Sequence, residues 1–232
     1  MWIETLNFEC RQVDMEVYEA IEKRRTIRSF KQGVSEAQLH KLLLAGVKAP
    51  SGSNIQPWEF IIIDNPETIE KIAEYKYQQT LKMTLDNMFL NDPGTIEQVY
   101  QQTLKIPYST QRSMRQKEAY RNCTVIAVCN QKGHGIGRKP WMNVENIAST
   151  WMCIENMMLA ATAEGLGIQI SILREEHKIA VEKLLSIPED CELATMLLVG
   201  VPAETPRKKE FGSTRPDFSW LHRNKFGAKT TL

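Results

Sequence analysis

Three guanidinium groups and a hydroxyl follow one another closely near the start of the chain, in the segment Arg24–Arg28 (Arg-Arg-Thr-Ile-Arg). Arginine presents planar, paired donors that match the oxygens of a phosphate. The segment lies where a helical pattern ends, and the helix dipole favours a basic face there without any ligand. Considered alone, the segment is open to both interpretations, anion binding and a solvated basic face.

A second polar group, Ala49–Trp58, joins a predicted helix to a predicted strand. Its sequence is Ala-Pro-Ser-Gly-Ser-Asn-Ile-Gln-Pro-Trp, in which two prolines restrict the backbone and Gly52 allows close approach of a ligand. The hydroxyl and amide groups of Ser51, Asn54 and Gln56 offer the donors and acceptors needed to read the edge of a planar heterocycle. An ordinary connecting turn is the alternative, because turns use the same residue types.

The third candidate is Gly165–Ile172, which by itself predicts a helix stop followed by a strand. Other motifs fail on spacing. Gly133–Gly137 does not continue into a dinucleotide-binding loop, because residue 138 is arginine, and Ser51 and Ser53 lie in no nucleophile elbow. The four histidines and five cysteines show no metal-ligand spacing, so we expect no metal site and reduced, structural thiols.

Helices and strands alternate along the chain and must position these groups. The predicted helices span residues 15–25, 35–48, 66–90, 143–164 and 175–185, and the predicted strands span residues 58–64, 124–128, 168–172 and 194–199. Residues 95–121 predict a polar helical stretch interrupted at Pro107. Ser35 and Gln38 have capping-box spacing, and the 143–164 helix is apolar nearly all round, which is typical of a helix buried on several sides or shared with a partner subunit. The pattern predicts one layered α/β or α+β domain.

Composition excludes several classes of function. The chain has 232 residues, 42% of them hydrophobic and 25% charged, with a formal net charge of +1. This balance gives no field that favours nucleic acid or acidic lipid. No apolar run approaches the roughly 20 residues that span a bilayer, and the first residues lack a signal-peptide pattern. We therefore expect a cytoplasmic protein that binds neither nucleic acid nor membrane.

The three groups together resemble the FMN-dependent nitroreductase superfamily, from about residue 15 to the C-terminus. The family's helix-exit motif, Arg-Arg-Ser-x-Arg-x-Phe, is similar to residues 24–30, and its flavin-edge motif, Pro-Ser-x-x-Asn-x-Gln-Pro-Trp, matches residues 50–58 at every fixed position. The end of its central helix resembles residues 156–167, and its closing Gly-x-Pro-Ala-Glu and later Arg-Pro are similar to residues 200–204 and 215–216. The resemblance implies an α+β fold, a three-layer α/β/α sandwich with a central mixed, mainly antiparallel sheet, in an intertwined homodimer.

The resemblance also implies which residues bind FMN. The expected contacts are Arg24, Arg25, Thr26, Arg28, Pro50, Ser51, Gly52, Asn54, Gln56, Ile170, Ser171, Ile172 and Arg215. Arg24 and Arg215 would hold the phosphate and Arg28 would reach the pyrimidine side of the flavin. Pro50, Ser51, Gly52 and Asn54 would contact the ring and ribityl chain, and the last two could come from the partner subunit. The backbone of residues 170–172 would face flavin N5 and O4. Many relatives have Trp-Ile-Gly or Pro-Ile-Glu there instead of Ile-Ser-Ile, so a Ser171 hydroxyl near N5, as in iodotyrosine deiodinase-like members, and one that points away are both open.

The implied mechanism has two steps. NADH or NADPH reduces FMN and leaves, and a small-molecule electron acceptor such as a nitroaromatic or quinone then enters the same pocket. Because the flavin supplies the chemistry, no side chain is expected to be catalytic. We expect a single domain over residues 1–232, in which residues 75–121 form a substrate lid and residues from about 202 to 232 form a C-terminal arm that wraps the partner.

Three other functions are open. A reductive dehalogenase or iodotyrosine deiodinase-like flavoprotein is one, with Lys117 as a candidate substrate ligand. A flavin-binding carrier or sensor without turnover is another. The third is oxygen-dependent fragmentation of the flavin itself, which the nitroreductase form of the 50–58 loop disfavours.

Overall fold

The computed structural model describes residues 15–90, 106–132, 140–203 and 220–227. Its five strands are β1 (Phe30–Gln32), β2 (Trp58–Ile63), β3 (Thr124–Gln131), β4 (Gly167–Ser171) and β5 (Cys191–Pro202). Strand β5 pairs with β3 along one edge and with β4 along the other, and β2 pairs with β3 on its far side. Strand β1 extends the sheet at the end of β5, and these pairings are all antiparallel. An isolated parallel bridge between Thr26 and Ile168 joins β4 at its outer edge, whereas the described strands themselves form an antiparallel sheet instead of the mixed one expected.

Six helices cover the described part of the sheet. They are α1 (Val17–Lys23), α2 (Glu36–Gly46), α3 (Pro66–Leu90), α4 (Ile106–Arg121), α5 (Pro140–Ala163) and α6 (Glu175–Leu184), and a short 3-10 helix spans Gly52–Asn54. Side chains alternate across the strands, so Val125 faces one layer of helices while Ile126 faces the other.

Two separate cores result from this alternation. On one face of the sheet, Ile72, Tyr120 and Val181 bring α3, α4 and α6 into a single buried cluster. On the other face, Leu42 and Met157 bring α2 and α5 into a second cluster. The predicted three-layer α/β/α architecture is confirmed.

Local sequence signals fix the ends of several helices. Ser35 and Gln38 form the predicted capping box, in which each side chain bonds the other's backbone N–H group. Asn65 Oδ1 accepts from the Thr68 N–H group at 2.9 Å and caps α3. Pro107 lies in the first turn of α4, where an N–H group has no partner within the helix, and the residues on which the expected interruption depends, 95–105, lie outside the described part of the chain. Gly165, with a φ of 69°, ends α5.

Other elements differ in extent from the sequence prediction. Strand β5 begins at Cys191 instead of residue 194, since Cys191 and Glu192 pair with the end of β3 although their side chains are not apolar enough to predict a strand. Strand β1 was not predicted, because three residues are too few to show a period. The four cysteines in the described part of the chain are free thiols, as expected, and burial raises the pKa of Cys129 and Cys153 to about 12. None of the described helices is long and apolar enough to cross a membrane.

Candidate functional site

The arginine segment runs beside strand β4. After α1 ends, Thr26 bridges Ile168, and the Ile27 N–H group donates to the Ile168 carbonyl at 3.1 Å. The close approach requires Gly167, since a Cβ atom there would lie 2.7 Å from the Ile27 side chain. The backbone therefore places the first and third predicted groups next to each other, although about 140 residues separate them in sequence.

The three arginines differ in their surroundings. Arg25 folds back onto the end of α1, where its Nη1 donates to the Glu22 carbonyl at 2.6 Å and to the Arg24 carbonyl at 2.7 Å. Arg24 Nε lies 4.0 Å from Glu155 Oε1 on α5, which is too far for a hydrogen bond. Arg28 is exposed and forms no ion pair within the described ranges. The segment thus carries one arginine held by its own backbone, one in a long ion pair with α5 and one exposed arginine.

The 50–56 loop has a strained backbone. Ser53, Asn54 and Gln56 have φ angles of 50°, 56° and 52°, a region that non-glycine residues rarely occupy. Ser51 Oγ accepts from the Gln56 N–H group at 3.0 Å, and Gln56 Nε2 donates to Asn54 Oδ1 at 3.0 Å, so the loop is held in this shape by its own side chains. Such strain is typical of functional sites more than of plain connecting turns, which favours the ligand-binding interpretation of this loop.

The arginine segment and the 50–56 loop contact the same helix, α5, at different positions along its length. Arg24 lies near Glu155 of α5, whereas Gly52 lies near Glu145, with its Cβ position 3.4 Å from Glu145 Oε2. Ten residues of α-helix span roughly 15 Å. Within one chain, the structure brings the arginines to β4 but does not bring the loop to them. Arg215, the other expected phosphate ligand, lies outside the described residues, as does most of the predicted C-terminal arm.

The exit of β4 is tied to helices α3 and α4. The Ile172 carbonyl accepts from Lys76 Nζ at 2.8 Å and from Gln79 Nε2 at 3.0 Å, and Gln79 Oε1 accepts from the Arg174 N–H group at 2.6 Å. These contacts hold the chain that follows Ser171 in one place. Sequence reasoning missed Lys76 and Gln79, because nothing local shows that a helix more than 90 residues earlier reaches this strand.

Ser171 points away from the α2 and α5 layer. Its hydroxyl is buried and accepts a hydrogen bond from Tyr120 of α4 at 2.9 Å. Gln169, two residues earlier, likewise bonds Gln116 of α4, whereas Ile168 and Ile170 pack in the opposite core. Burial raises the pKa of Tyr120 above its ordinary value, so the phenol stays protonated as a donor. Of the two orientations left open for Ser171, this arrangement favours the one in which the hydroxyl faces its own core.

Lys117 is held by two carboxylates. Its Nζ lies 2.9 Å from Glu70 and 2.6 Å from Glu74 on α3, and Arg121 also contacts Glu70 at 2.9 Å. Hydrogen bonds from Arg121 and Lys117 lower the pKa of Glu70 to about 2. This network joins α3 to α4 and favours a structural role for Lys117 over the predicted contact with a substrate.

The segment expected to form a lid is partly a core element. Gln79 and Thr80 near its start and Ser113, Ala119 and Tyr120 near its end are buried. These buried parts of α3 and α4 do not fit a mobile lid, and residues 91–105, the middle of the expected lid, lie outside the described residues.

An α/β/α sandwich with a mainly antiparallel sheet, basic segment and strained polar loop defines the class of protein. The model of the Nitroreductase family matches residues 21–201. The chain belongs to this family, whose members are oxidoreductases. It is 30% identical over 207 residues to a 5,6-dimethylbenzimidazole synthase of Rhodobacter capsulatus, which covers 86% of this chain and 89% of the relative.

Two further similarities agree with this assignment. A protein of Methanothermobacter thermautotrophicus described as a putative NADH dehydrogenase/NAD(P)H nitroreductase is 27% identical over 89% of this chain and 87% of its own length. Among solved structures, oxidized iodotyrosine deiodinase bound to FMN and 3-iodo-L-tyrosine has the same fold, with a TM-score of 0.65 and 23% identity over 90% of this chain and 99% of that one.

Proposed function

We propose that the protein is an FMN-dependent NAD(P)H oxidoreductase that reduces nitroaromatic, quinone or related electron-poor acceptors. The observation that carries the proposal is the bridge between Thr26 and Ile168, because it sets the arginine segment beside the strand that the family resemblance assigns to the flavin edge. Membership of the Nitroreductase family and the FMN in a structure of the same fold support the choice of cofactor.

The residues present fit an FMN molecule in their chemistry. Arg24 and Arg28 supply the positive charge that a phosphate and the pyrimidine side of a flavin would meet. The amides of Asn54 and Gln56, held in a strained loop, offer both donors and acceptors to a heterocycle edge. When bound, FMN supplies the redox chemistry, and the protein's part is to bind, orient and exclude water. Residues 170–172 would orient the ring, with Lys76 and Gln79 fixing the Ile172 carbonyl.

We further propose that the site is shared by two chains. The separation of roughly 15 Å between the heights at which the arginine segment and the 50–56 loop meet α5 is explained if each site takes the segment from one chain and the loop from the other. Exposed apolar side chains on the same layer agree with a partner there. These are Val17, Tyr18, Ile21, Leu44, Val144 and Met152. Patches of this kind mark interfaces in soluble proteins.

Anaerobic reduction tests the proposal. The purified protein should show the absorbance of bound flavin, should bleach within seconds of adding NADH or NADPH, and should regain its colour when nitrobenzene or a quinone is added. A protein that binds no flavin would refute the proposal altogether. Flavin that binds but stays oxidised with both nucleotides would identify a carrier or sensor instead.

Synthesis of 5,6-dimethylbenzimidazole is the second candidate function, favoured by the 30% identity to an enzyme of that name. It corresponds to the oxygen-dependent fragmentation of flavin that the 50–58 loop disfavours. Incubation of the reduced protein in air, with analysis of the products by mass spectrometry, separates the two candidates. Formation of 5,6-dimethylbenzimidazole would support the second, and recovery of intact FMN would support the first. Release of iodide from 3-iodotyrosine in a parallel assay would point to the deiodinase alternative.

A further inference from the structure

Positively charged groups collect where the chain leaves β4. Lys76 Nζ donates to the Ile172 carbonyl at 2.8 Å, and Gln79 bonds both that carbonyl and the Arg174 N–H group. Lys76 and the Arg174 backbone are therefore fixed at a single junction. The ammonium group occupies a half-buried position on α3, whereas Arg174 is exposed.

Arg112 is a third cation, and its charge acts on Lys76. Arg112 lies on α4, which runs antiparallel to α3. Burial, together with the charges of Arg174 and Arg112, lowers the pKa of Lys76 to about 8. Like charges repel, so a group of three cations is electrostatically unfavourable when no anion is bound among them.

The nearby carboxylates are engaged elsewhere. Glu74, half a turn before Lys76, is bound by Lys117 at 2.6 Å, and Glu176 is bound by Lys82 at 3.1 Å. Glu175, next to Arg174, forms no ion pair in the described part of the chain. Residues 110–117 of α4 contain no acid at all. Within the described ranges, then, no carboxylate forms an ion pair with any of the three cations.

We propose that Lys76, Arg112 and Arg174 form a binding site for an anionic group of a small-molecule substrate, either the carboxylate of an acceptor or a phosphate of the reducing nucleotide. The inference rests on the proposed function for its location, because Ile172 belongs to the strand exit that would border the flavin. Arginine suits a planar carboxylate or a phosphate through paired donors, and the lysine adds a point charge at the buried end of the site. A bound anion would also relieve the repulsion among the three cations.

Steady-state kinetics with a matched pair of acceptors tests the site. The variants are Arg112→Gln and Arg174→Gln, which change exposed side chains and should leave the fold intact. The control is Lys71→Gln, which removes an exposed charge from the same helix. We expect the KM for 4-nitrobenzoate to rise roughly tenfold or more in each site variant. The KM for nitrobenzene in these variants, and the KM for both acceptors in Lys71→Gln, should stay within about twofold of the wild-type values.

The nucleotide arm distinguishes the two sources of the anion. If the KM for NADH or NADPH rises instead and that for 4-nitrobenzoate does not, the site binds the nucleotide phosphate. Equal changes for neutral and anionic substrates, or no change in either arm, would overturn the proposal.

Calorimetry supplies a readout that needs no turnover. The oxidised protein should bind benzoate more tightly than its neutral analogue benzamide, and Arg174→Gln should remove that preference while Lys71→Gln keeps it. If the site binds the phosphate of the nucleotide and not a carboxylate, the protein should bind pyrophosphate, and Arg174→Gln should weaken that binding while Lys71→Gln does not. A protein that reduces nitrobenzene but shows no preference for either anion would refute the anion site alone. A protein that prefers the anion but cannot be reduced by either nucleotide would refute the proposed oxidoreductase alone.

Discussion

The Tyr120 hydroxyl donates to Ser171 Oγ across 2.9 Å in the interior, and so connects helix α4 to the last residue of β4. Tyr120→Phe keeps the ring and leaves the serine oxygen without this donor. Because a buried polar group that loses its partner costs about 1–3 kcal/mol, we expect a loss of that size in the free energy of unfolding, measured with urea. Stability equal to that of the wild type would contradict a structural role for the bond.

Arg28→Gln is expected to weaken flavin binding. Arg28 is exposed beside the strand that would border the cofactor, and a hydrogen bond to a charged group contributes about 1.5–3 kcal/mol. We therefore expect the dissociation constant for FMN, measured by fluorescence quenching of the apoprotein, to rise roughly 10- to 100-fold. Lys31→Gln removes the same charge three residues away and should change it by less than about twofold. An unchanged affinity in Arg28→Gln would rule out the expected flavin contact.

The network around Glu70 predicts how stability falls in acid. Its pKa is about 2 in the folded protein against 4.5 for the ordinary group, because Arg121 and Lys117 bond the carboxylate. A lowered pKa means that the unfolded chain binds the proton more readily, so this stabilisation is complete above about pH 4.5 and is lost as the pH falls towards 2. The group is partly exposed, so the effect is modest.

Glu70→Gln isolates this contribution. The variant should be less stable than the wild type at pH 7 and should converge with it between pH 4.5 and 2, as followed by urea unfolding at each pH. Glu189→Gln, at an exposed glutamate outside the network, should run parallel to the wild type throughout. If Glu70→Gln also runs parallel, the ion pairs do not stabilise the fold.

Gly200→Ala is expected to separate β1 from β5. A Cβ atom at this position would collide with the Gln32 carbonyl oxygen, which belongs to the backbone and cannot rotate away. Gly167→Ala is the informative comparison, because the atoms nearest to the added one there belong to the Ile27 side chain, at 2.7 Å, and not to the backbone. Overpacking costs about 1–3 kcal/mol, so we expect the melting temperature to fall in both variants and to fall further in Gly200→Ala. A larger fall of the melting temperature in Gly167→Ala would mean that β1 can move away from β5 to make room for the added atom.

Local patterns predicted much of the architecture. The capping box at Ser35, the cap at Asn65 and the apolar runs of β2 and β3 depend on neighbours within a few residues, so the sequence shows them directly. The orientation of Ser171 was left open by the sequence, and the hydrogen bond from Tyr120, with Ile168 and Ile170 packed on the other face of the sheet, favours one of the two.

Contacts made over a long stretch of sequence could not be predicted in this way. The bonds of Lys76 and Gln79 to Ile172 depend on how α3 crosses the end of β4, and no local pattern encodes that crossing. The positive φ angles of Asn54 and Gln56 were also hidden, since polar residues in a loop are compatible with an ordinary turn. Candidate residues were therefore easier to find than their distances from one another.

The proposed shared site predicts that assembly and flavin binding fail together. Met152 lies on the exposed side of α5, between the heights at which the arginine segment and the 50–56 loop meet that helix. Met152→Glu places a charge in the apolar patch and should shift the protein from dimer to monomer in sedimentation equilibrium, because burying an unpaired charge is costly.

Ile179→Glu is the matched control. Ile179 is 57% exposed on α6, in the layer on the opposite face of the sheet, so the same charge there should leave the dimer intact. If each site needs the loop of one chain and the arginines of the other, Met152→Glu should also lose FMN while Ile179→Glu retains it. A monomeric Met152→Glu that binds FMN with wild-type affinity would show that one chain suffices. The arginine segment would then bind FMN without the 50–56 loop of a second chain.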